Sequence, residues 1–215
     1  MSHSRRLWVV LVLNVVLVGG LVVVGLSAHS LGVLAEGGDY LADAAAIGVS
    51  LLAIWLAGRP PTAARPDGYP RATTIAAGAN AGWLLALSVL VIATSLHRLV
   101  VGVKEVQGLP VLIMSGVAAI VMLGGALLLN DDADDQPDSA GRGNELNRRA
   151  VLLDTATDAA AAAGVAVSGA VILATGGFYW LDAAVALVIA LVVGYHALQL
   201  LREIKVAWEH GRHGR

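Results

Sequence analysis

The chain has 215 residues, of which 57% are hydrophobic and 14% are charged, and its mean hydropathy is +0.75. This composition is too apolar for a soluble domain of this length and indicates a protein that lies in a lipid bilayer. The net charge of −2 argues against nucleic-acid binding, and the absence of cysteine excludes disulfides and thiolate metal sites, which leaves oxygen or imidazole as metal ligands.

Six apolar segments follow one another along the chain, and each is long enough for a spanning helix of about 20 residues. They cover residues 7–26, 30–57, 72–96, 110–129, 146–175 and 181–204. The first segment does not end in a small-residue cleavage site, so we interpret it as a retained helix and not as a signal peptide. The sequence therefore predicts an all-α membrane protein with a six-helix transmembrane domain over residues 1–210, an acidic linker at 130–144 and a short C-terminal tail at 205–215.

The basic residues predict the orientation of these helices, because Lys and Arg accumulate in cytoplasmic loops. With both termini in the cytoplasm, twelve of the 14 Lys and Arg residues lie inside, and only Arg98 and Lys104 lie outside. The aromatic residues Phe178, Tyr179 and Trp180 then fall at the outer interface, where aromatic side chains are favoured. We therefore predict a multi-pass protein of a bacterial inner membrane with both termini cytoplasmic.

Four aspartates occupy the predicted helices as two matched pairs. Asp39 and Asp43 lie on the second segment, and Asp154 and Asp158 lie on the fifth. The i, i+4 spacing places both carboxylates of a pair on one helical face. Counted from the helix entries, both pairs lie about 12 to 20 Å deep, which is the middle of a hydrocarbon core about 30 Å thick.

The cost of burying these aspartates indicates that they face one another or a cation. A carboxylate at the bilayer centre costs about 2.5 to 3.5 kcal/mol even on the lenient insertion scale, so four carboxylates facing lipid would cost on the order of 10 kcal/mol. Carboxylate oxygens suit a divalent ion and suit an organic substrate poorly. We therefore predict that Asp39, Asp43, Asp154 and Asp158 bind one divalent metal ion.

Several short motifs accompany the aspartates along nearly the whole chain. In order, they are Asn14, the stretch from Ser30 to Asp39 with Leu34-Ala35 inside it, Gly68-Tyr69-Pro70-Arg71, Asn147-Arg148-Arg149-Ala150 before the second aspartate pair, and Trp180-Leu181-Asp182. Together these motifs resemble those of the cation diffusion facilitator family of divalent metal/proton antiporters.

This resemblance implies a carrier that exports a transition metal in exchange for protons by alternating access, with the four aspartates as metal ligands and no catalytic cofactor. Zinc is the family's commonest substrate, whereas four carboxylates without imidazole favour manganese. We therefore expect zinc with manganese close behind, and cadmium, iron and cobalt as further candidates. Family members that move zinc usually have His at one or more of the positions held here by Asp39 and Asp154.

Two further expectations concern the size and the assembly of the protein. Because the chain stops soon after the sixth segment, we expect a short member that lacks the family's soluble C-terminal domain. Any homodimer would then form through transmembrane contacts. The candidates are the small-residue positions Gly116, Gly124 and Gly125 on the fourth segment.

Other polar residues are weaker candidates for metal binding. His29 and Glu36 lie near the predicted outer mouth and form an accessory position for the released ion. Asp131, Asp132, Asp134 and Asp135 of the linker could gather cations, although a solvated acidic loop is the simpler interpretation. We expect Asp182 to offset the dipole of the helix that it begins, and His97, His196 and His210 to be packing or interfacial residues.

Two other functions fit part of the pattern. An intramembrane aspartyl protease also places two aspartates on neighbouring helices, but its usual G-x-G-D motif is missing because Glu36 stands where the first glycine should be. A proton-coupled carrier of organic cations normally has aromatic residues for cation–π contact, whereas Ala, Gly and Leu border these acids. The transporter interpretation predicts that the protein is not an enzyme.

Overall fold

A computed structural model of the protein describes residues 3–57, 72–134 and 142–213. These residues form six α-helices: α1 (His3–Ser27), α2 (Leu31–Ala57), α3 (Ala72–Val101), α4 (Gly108–Asp134), α5 (Arg142–Thr175) and α6 (Trp180–His213). No strand occurs in the described ranges. The predicted all-α fold with six helices is confirmed.

The helices extend beyond the apolar segments from which they were predicted. α3 ends at Val101 instead of residue 96, α4 continues to Asp134, and α6 continues to His213 through the predicted tail. The described part of the predicted linker, residues 130–134 and 142–144, is helical. Hydropathy marks the part of a helix that lies in lipid, whereas backbone hydrogen bonding continues into polar sequence until a turn ends the helix.

Short connections join the helices at the predicted outer end of the bundle. His29 lies in the turn between α1 and α2 with a φ of 58°, a left-handed conformation that His tolerates better than most residues. Gly176, with a φ of 62°, ends α5 in the same way. The connection between α3 and α4 is held to the first turn, because the Gln107 amide donates to the Ala28 carbonyl over 3.2 Å.

Among the described residues, the helix pairs α4–α5 and α3–α6 have the most extensive interfaces, and α2 contacts all five other helices. Glycine permits the closest approach of α4 and α5. A Cβ added at Gly169 would lie 2.7 Å from the Leu112 amide nitrogen, and one added at Gly108 would lie 2.6 Å from the Gly169 carbonyl oxygen. Because α2 contacts all five other helices, it is the central helix of this bundle, and it carries the first aspartate pair.

The bundle buries small residues and exposes large aliphatic ones. Ala81, Ala118 and Ala162 are fully buried, whereas Val100 is 84% exposed and Ile120 is 72% exposed. Small residues let membrane helices approach closely, and lipid solvates the large aliphatic side chains outside. Within the described part, Thr74–Val101, Thr155–Thr175 and Trp180–Val206 are long and apolar enough to span a membrane. Both features are those of a multi-pass membrane protein, and the orientation of its termini stays a prediction.

Candidate metal site

Asp39 of α2 and Asp158 of α5 line one cavity of about 330 Å³, which is bounded by α2, α3, α5 and α6. Both side chains are half-buried. The structure therefore brings together one member of each predicted aspartate pair. Asp43 and Asp154 lie one helical turn away from them on the same two helices, and their side chains lie outside the described part of the structure.

Most of the cavity wall is apolar. α5 contributes Ala160 and Ala161, and α6 contributes four branched aliphatic side chains, which are Val188, Ile189, Val192 and Val193. Thr157 and His196 are the other polar residues on the wall. His196, which the sequence suggested was a packing or interfacial residue, therefore lies on the same cavity as two of the predicted metal ligands.

Asp39 and Asp158 do not by themselves complete a metal site. Among the described side chains, no three acidic or histidine groups lie close enough together to hold one ion. The predicted four-aspartate site therefore also needs Asp43 and Asp154, and it stays a prediction. The same holds for the acidic candidates of the predicted linker. The side chains of Asp131, Asp132 and Asp134, at the end of α4, and the whole of Asp135 lie outside the described part of the chain.

Glu36 lies on α2 one turn before Asp39, and its side chain is only 2% exposed. Its Oε2 accepts a hydrogen bond from the Ser115 hydroxyl of α4 over 2.7 Å. Its Oε1 has no hydrogen-bond partner among the described residues. His29, the other accessory candidate, is exposed in the turn before α2, and seven residues of chain separate it from Glu36, or about 10 Å along a helix. Glu36 is therefore buried between α2 and α4, and its role as an accessory position stays a prediction.

Asp182 of α6 caps the first turn of α2. Its Oδ1 accepts hydrogen bonds from the Ser30 hydroxyl at 2.5 Å and from the Gly32 amide at 3.2 Å, and its Oδ2 accepts one from the Leu31 amide at 2.7 Å. The first amides of a helix have no partner within the helix and carry partial positive charge. One fully buried carboxylate therefore satisfies them. We call these three hydrogen bonds the Asp182 cap.

Two more contacts support the Asp182 cap. The Ser30 hydroxyl accepts a hydrogen bond from the Val33 amide at 3.1 Å, which is the usual contact of a serine at a helix N-terminus. The Arg98 guanidinium, in the last turn of α3, donates from Nη1 to the His29 carbonyl at 2.6 Å. The start of α2, the end of α3 and the start of α6 are thus tied together, and the helix that carries Asp39 is fixed at its start.

The sequence did not reveal this role of Asp182. We expected its charge to act on the dipole of its own helix, whereas the described contacts are with the amides of α2. The two partners, Ser30 and Asp182, are 152 residues apart in the chain. A serine directly before the apolar run at Leu31 was the available signal for a capped helix start, but it identifies no distant partner.

Comparisons with known proteins agree with this fold. Residues 7–205 match the family model described as the cation efflux transmembrane domain. The zinc transporter ZitB of Yersinia pseudotuberculosis is 28% identical over 204 residues, which cover 94% of this chain and 62% of that protein. The metal cation efflux system protein CzcD of Cupriavidus metallidurans is 28% identical over 192 residues, which cover 89% of this chain and 57% of that protein.

A relative from Homo sapiens, the proton-coupled zinc antiporter SLC30A2, is 26% identical over 203 residues, which cover 94% of this chain and 55% of that protein. The similarity therefore includes nearly all of this chain in each case. The chain spans less than two thirds of the length of each of these relatives.

Proposed function

The chain belongs to the cation efflux family, the same family that its motifs resemble, and on this basis we propose that it carries a divalent transition metal across the membrane in exchange for protons. Members of this family are transporters and not enzymes, so the protease alternative is set aside. We infer that zinc is the substrate, that both termini are cytoplasmic, and that the protein acts in a bacterial inner membrane.

The cavity that Asp39 and Asp158 share is the main support for this proposal. Two carboxylates from different helices line one space with largely apolar walls. Burying a carboxylate in such a place is costly unless a cation or a proton neutralises it. A divalent ion neutralises two carboxylates at once. With Asp43 and Asp154, the proposed site has four oxygen ligands, a number that suits tetrahedral zinc.

The choice of zinc over manganese is supported by the relatives. ZitB and SLC30A2 are both named for zinc, and none of the three relatives described above is named for manganese. The ligand set alone would favour the harder ion, because four carboxylates without imidazole suit manganese at least as well. Zinc ligated by carboxylates has oxygen distances of about 2.0 to 2.2 Å, and we expect these distances in the occupied site.

Exchange with protons follows from the chemistry of the empty site. Four neighbouring carboxylates in a cavity with apolar walls repel one another, so the empty carrier holds protons on some of them. An arriving divalent ion requires the ionised oxygens and expels those protons. Both forms of the carrier then cross the membrane with most of their charge compensated. In a bacterium whose cytoplasm is less acidic than the outside, inward proton flow drives metal efflux.

We also propose that the protein forms a homodimer through transmembrane contacts on α4. A Cβ added at Gly116 or Gly124 would meet no described atom within 4 Å, so packing within the described chain does not require glycine at these positions. Small residues on a lipid-facing surface permit close approach of a second helix. Cross-linking in lipid tests this contact, and recovery of monomers only would contradict it.

The exchange is tested with purified protein in liposomes that contain a pH-sensitive dye. Zinc uptake should release protons from the lumen, and an imposed proton gradient should drive zinc in the opposite direction. Asp158→Asn should abolish both fluxes because it removes a ligand oxygen that ionises. Glu105→Gln is the matched control, since Glu105 is exposed in the connection between α3 and α4. Zinc flux without proton movement would refute the exchange mechanism, and full activity of Asp158→Asn would refute the site.

A further inference from the structure

His196 lies on the face of α6 that forms one wall of the cavity. That face consists of Val188, Val192 and His196, spaced i, i+4, i+8, together with Ile189 and Val193. His196 is an exposed side chain, and its ring lies beside the ring of Tyr195 with a centroid distance of 5.9 Å. The spacing makes His196 a regular member of the cavity wall and the last residue of α6 on it.

Asp39 lies near residues of α6 that precede His196 in the chain. Asp39, Ile189 and Val193 also line a second, smaller cavity of about 40 Å³, so Asp39 is near these two residues. His196 follows them by seven and three residues, or about 5 to 10 Å along the helix axis. With the predicted orientation, α6 runs towards the cytoplasm, and His196 therefore lies at the inner end of the cavity.

His196, Asp39 and Asp158 do not form a three-ligand metal site among the described side chains. All three side chains belong to the described part of the chain, and no three acidic or histidine groups in that part lie close enough together to hold an ion. An ion that enters from the cytoplasm therefore meets the imidazole before it meets Asp39. His196 and Asp39 are two positions along one cavity wall.

The chemistry of His196 differs from that of the predicted ligands. Imidazole suits zinc and cobalt, whereas oxygen ligands suit manganese. The four aspartates offer oxygen only, and His196 is the one imidazole among the described residues of the cavity wall. We propose that His196 is a loading ligand, which binds incoming zinc at the inner end of the cavity before Asp39 receives it and which favours zinc over manganese. This inference rests on the proposed function.

Transport kinetics test the loading role. His196→Ala should raise the KM for zinc about tenfold, the lower end of the loss when one supporting group of a metal site is removed. It should leave kcat nearly unchanged and should not alter the KM for manganese. His97→Ala is the matched control, because His97 is an exposed histidine of α3 that does not line the cavity. An unchanged zinc KM, or an equal rise for both metals, would overturn the proposal. Transport of neither metal by the wild-type protein would instead refute the proposed function.

A labelling experiment gives a readout that does not depend on transport. The chain contains no cysteine, so His196→Cys introduces a single thiol, and a thiolate is itself a zinc ligand. A membrane-impermeant maleimide added from the cytoplasmic side should label this thiol, zinc should slow the labelling, and manganese should not. His97→Cys lies near the predicted outer end of α3, and the same reagent added from the outer side should label it at the same rate with and without zinc.

The same thiol separates the loading ligand from the aspartate site. Zinc protection of His196→Cys should persist when Asp39→Asn is added, because an entering ion meets position 196 before Asp39. Loss of protection in that background, or no protection at all, would overturn the proposal while leaving the aspartate site intact. Zinc transport by His196→Cys should have a KM near that of the wild type. His196→Gln provides a variant of similar size if His196→Ala does not fold.

Discussion

Two regions of the bundle hold carboxylates in different surroundings. Where α2 and α6 begin, Asp182 is fully buried, and three donors of the protein satisfy its two oxygens. Further along α2 and on α5, Asp39 and Asp158 are half-buried and line a cavity of about 330 Å³ with mostly apolar walls. A carboxylate enclosed by donors of its own protein fixes the fold, whereas a carboxylate on a cavity wall can also be reached by an ion.

The residues that hold the bundle together are therefore different from the residues that line the proposed ion site. The Asp182 cap and the Arg98 contact tie the starts or ends of α2, α3 and α6. α5 and α6 have a much smaller interface than α4 and α5 do, and the cavity lies between α5 and α6. Substitutions at the two places should therefore affect different properties, namely transport at the cavity and stability at the Asp182 cap.

The largest effect is expected from filling the cavity. Val192 lines it and is 38% exposed, so Val192→Trp adds an indole to a space that has room for it. Zinc transport should fall to background, while Tm in detergent should stay near that of the wild type because no packed side chain is displaced. Val100→Trp is the control on the outer surface, where Val100 is 84% exposed. Full transport by Val192→Trp would show that ions do not use this cavity.

The next effect concerns the Asp182 cap. Asp182→Ala removes the acceptor of three hydrogen bonds and leaves the first amides of α2 buried, which should cost about 2 to 4 kcal/mol of stability. Asp182→Asn keeps one acceptor oxygen and should lose less. Thermal unfolding of both variants shows which one loses more stability, and Glu105→Ala provides an exposed acidic control. A Tm for Asp182→Ala equal to that of Glu105→Ala would contradict the structural role of the cap.

The smallest effect is expected at Glu36, which combines features of both regions. Ser115→Ala removes the only described donor to this buried side chain and should destabilise the protein by about 1 to 3 kcal/mol. Ser95→Ala is the matched control, because Ser95 is fully buried and its hydroxyl has no partner among the described residues. Denaturant unfolding compares the two variants. An equal loss of stability in both variants would mean that the Ser115 hydrogen bond makes no specific contribution to stability.

The sequence predicts the helices well because hydropathy and helix length are local properties. It also predicts that Asp39 and Asp43 share a face, since this follows from i, i+4 spacing alone. The predicted helix ends are less accurate, because α4 and α6 run further than the apolar segments do. A bilayer selects apolar residues, but it does not end a helix.

The contacts between helices could not be predicted from the sequence. The partner of Asp182 depends on how the N-terminal turns of α2 and α6 meet, and 152 residues separate it from Ser30. His196 lies on a cavity that α2, α3, α5 and α6 form together, which no single helix encodes. The position of Glu36 near the start of α2 follows from the sequence, whereas its burial against Ser115 of α4 does not.

The central claim, that four aspartates bind the transported ion, is tested most directly by X-ray absorption at the zinc edge on purified protein loaded with one equivalent of zinc. If the four aspartates bind zinc, the spectrum should show four oxygen ligands at about 2.0 to 2.2 Å from the zinc and no imidazole contribution. This spectrum should be lost when all four acids are replaced, that is, in the combined Asn variant of Asp39, Asp43, Asp154 and Asp158. A spectrum with imidazole ligands in the wild type, or one unchanged in the combined variant, would contradict the claim.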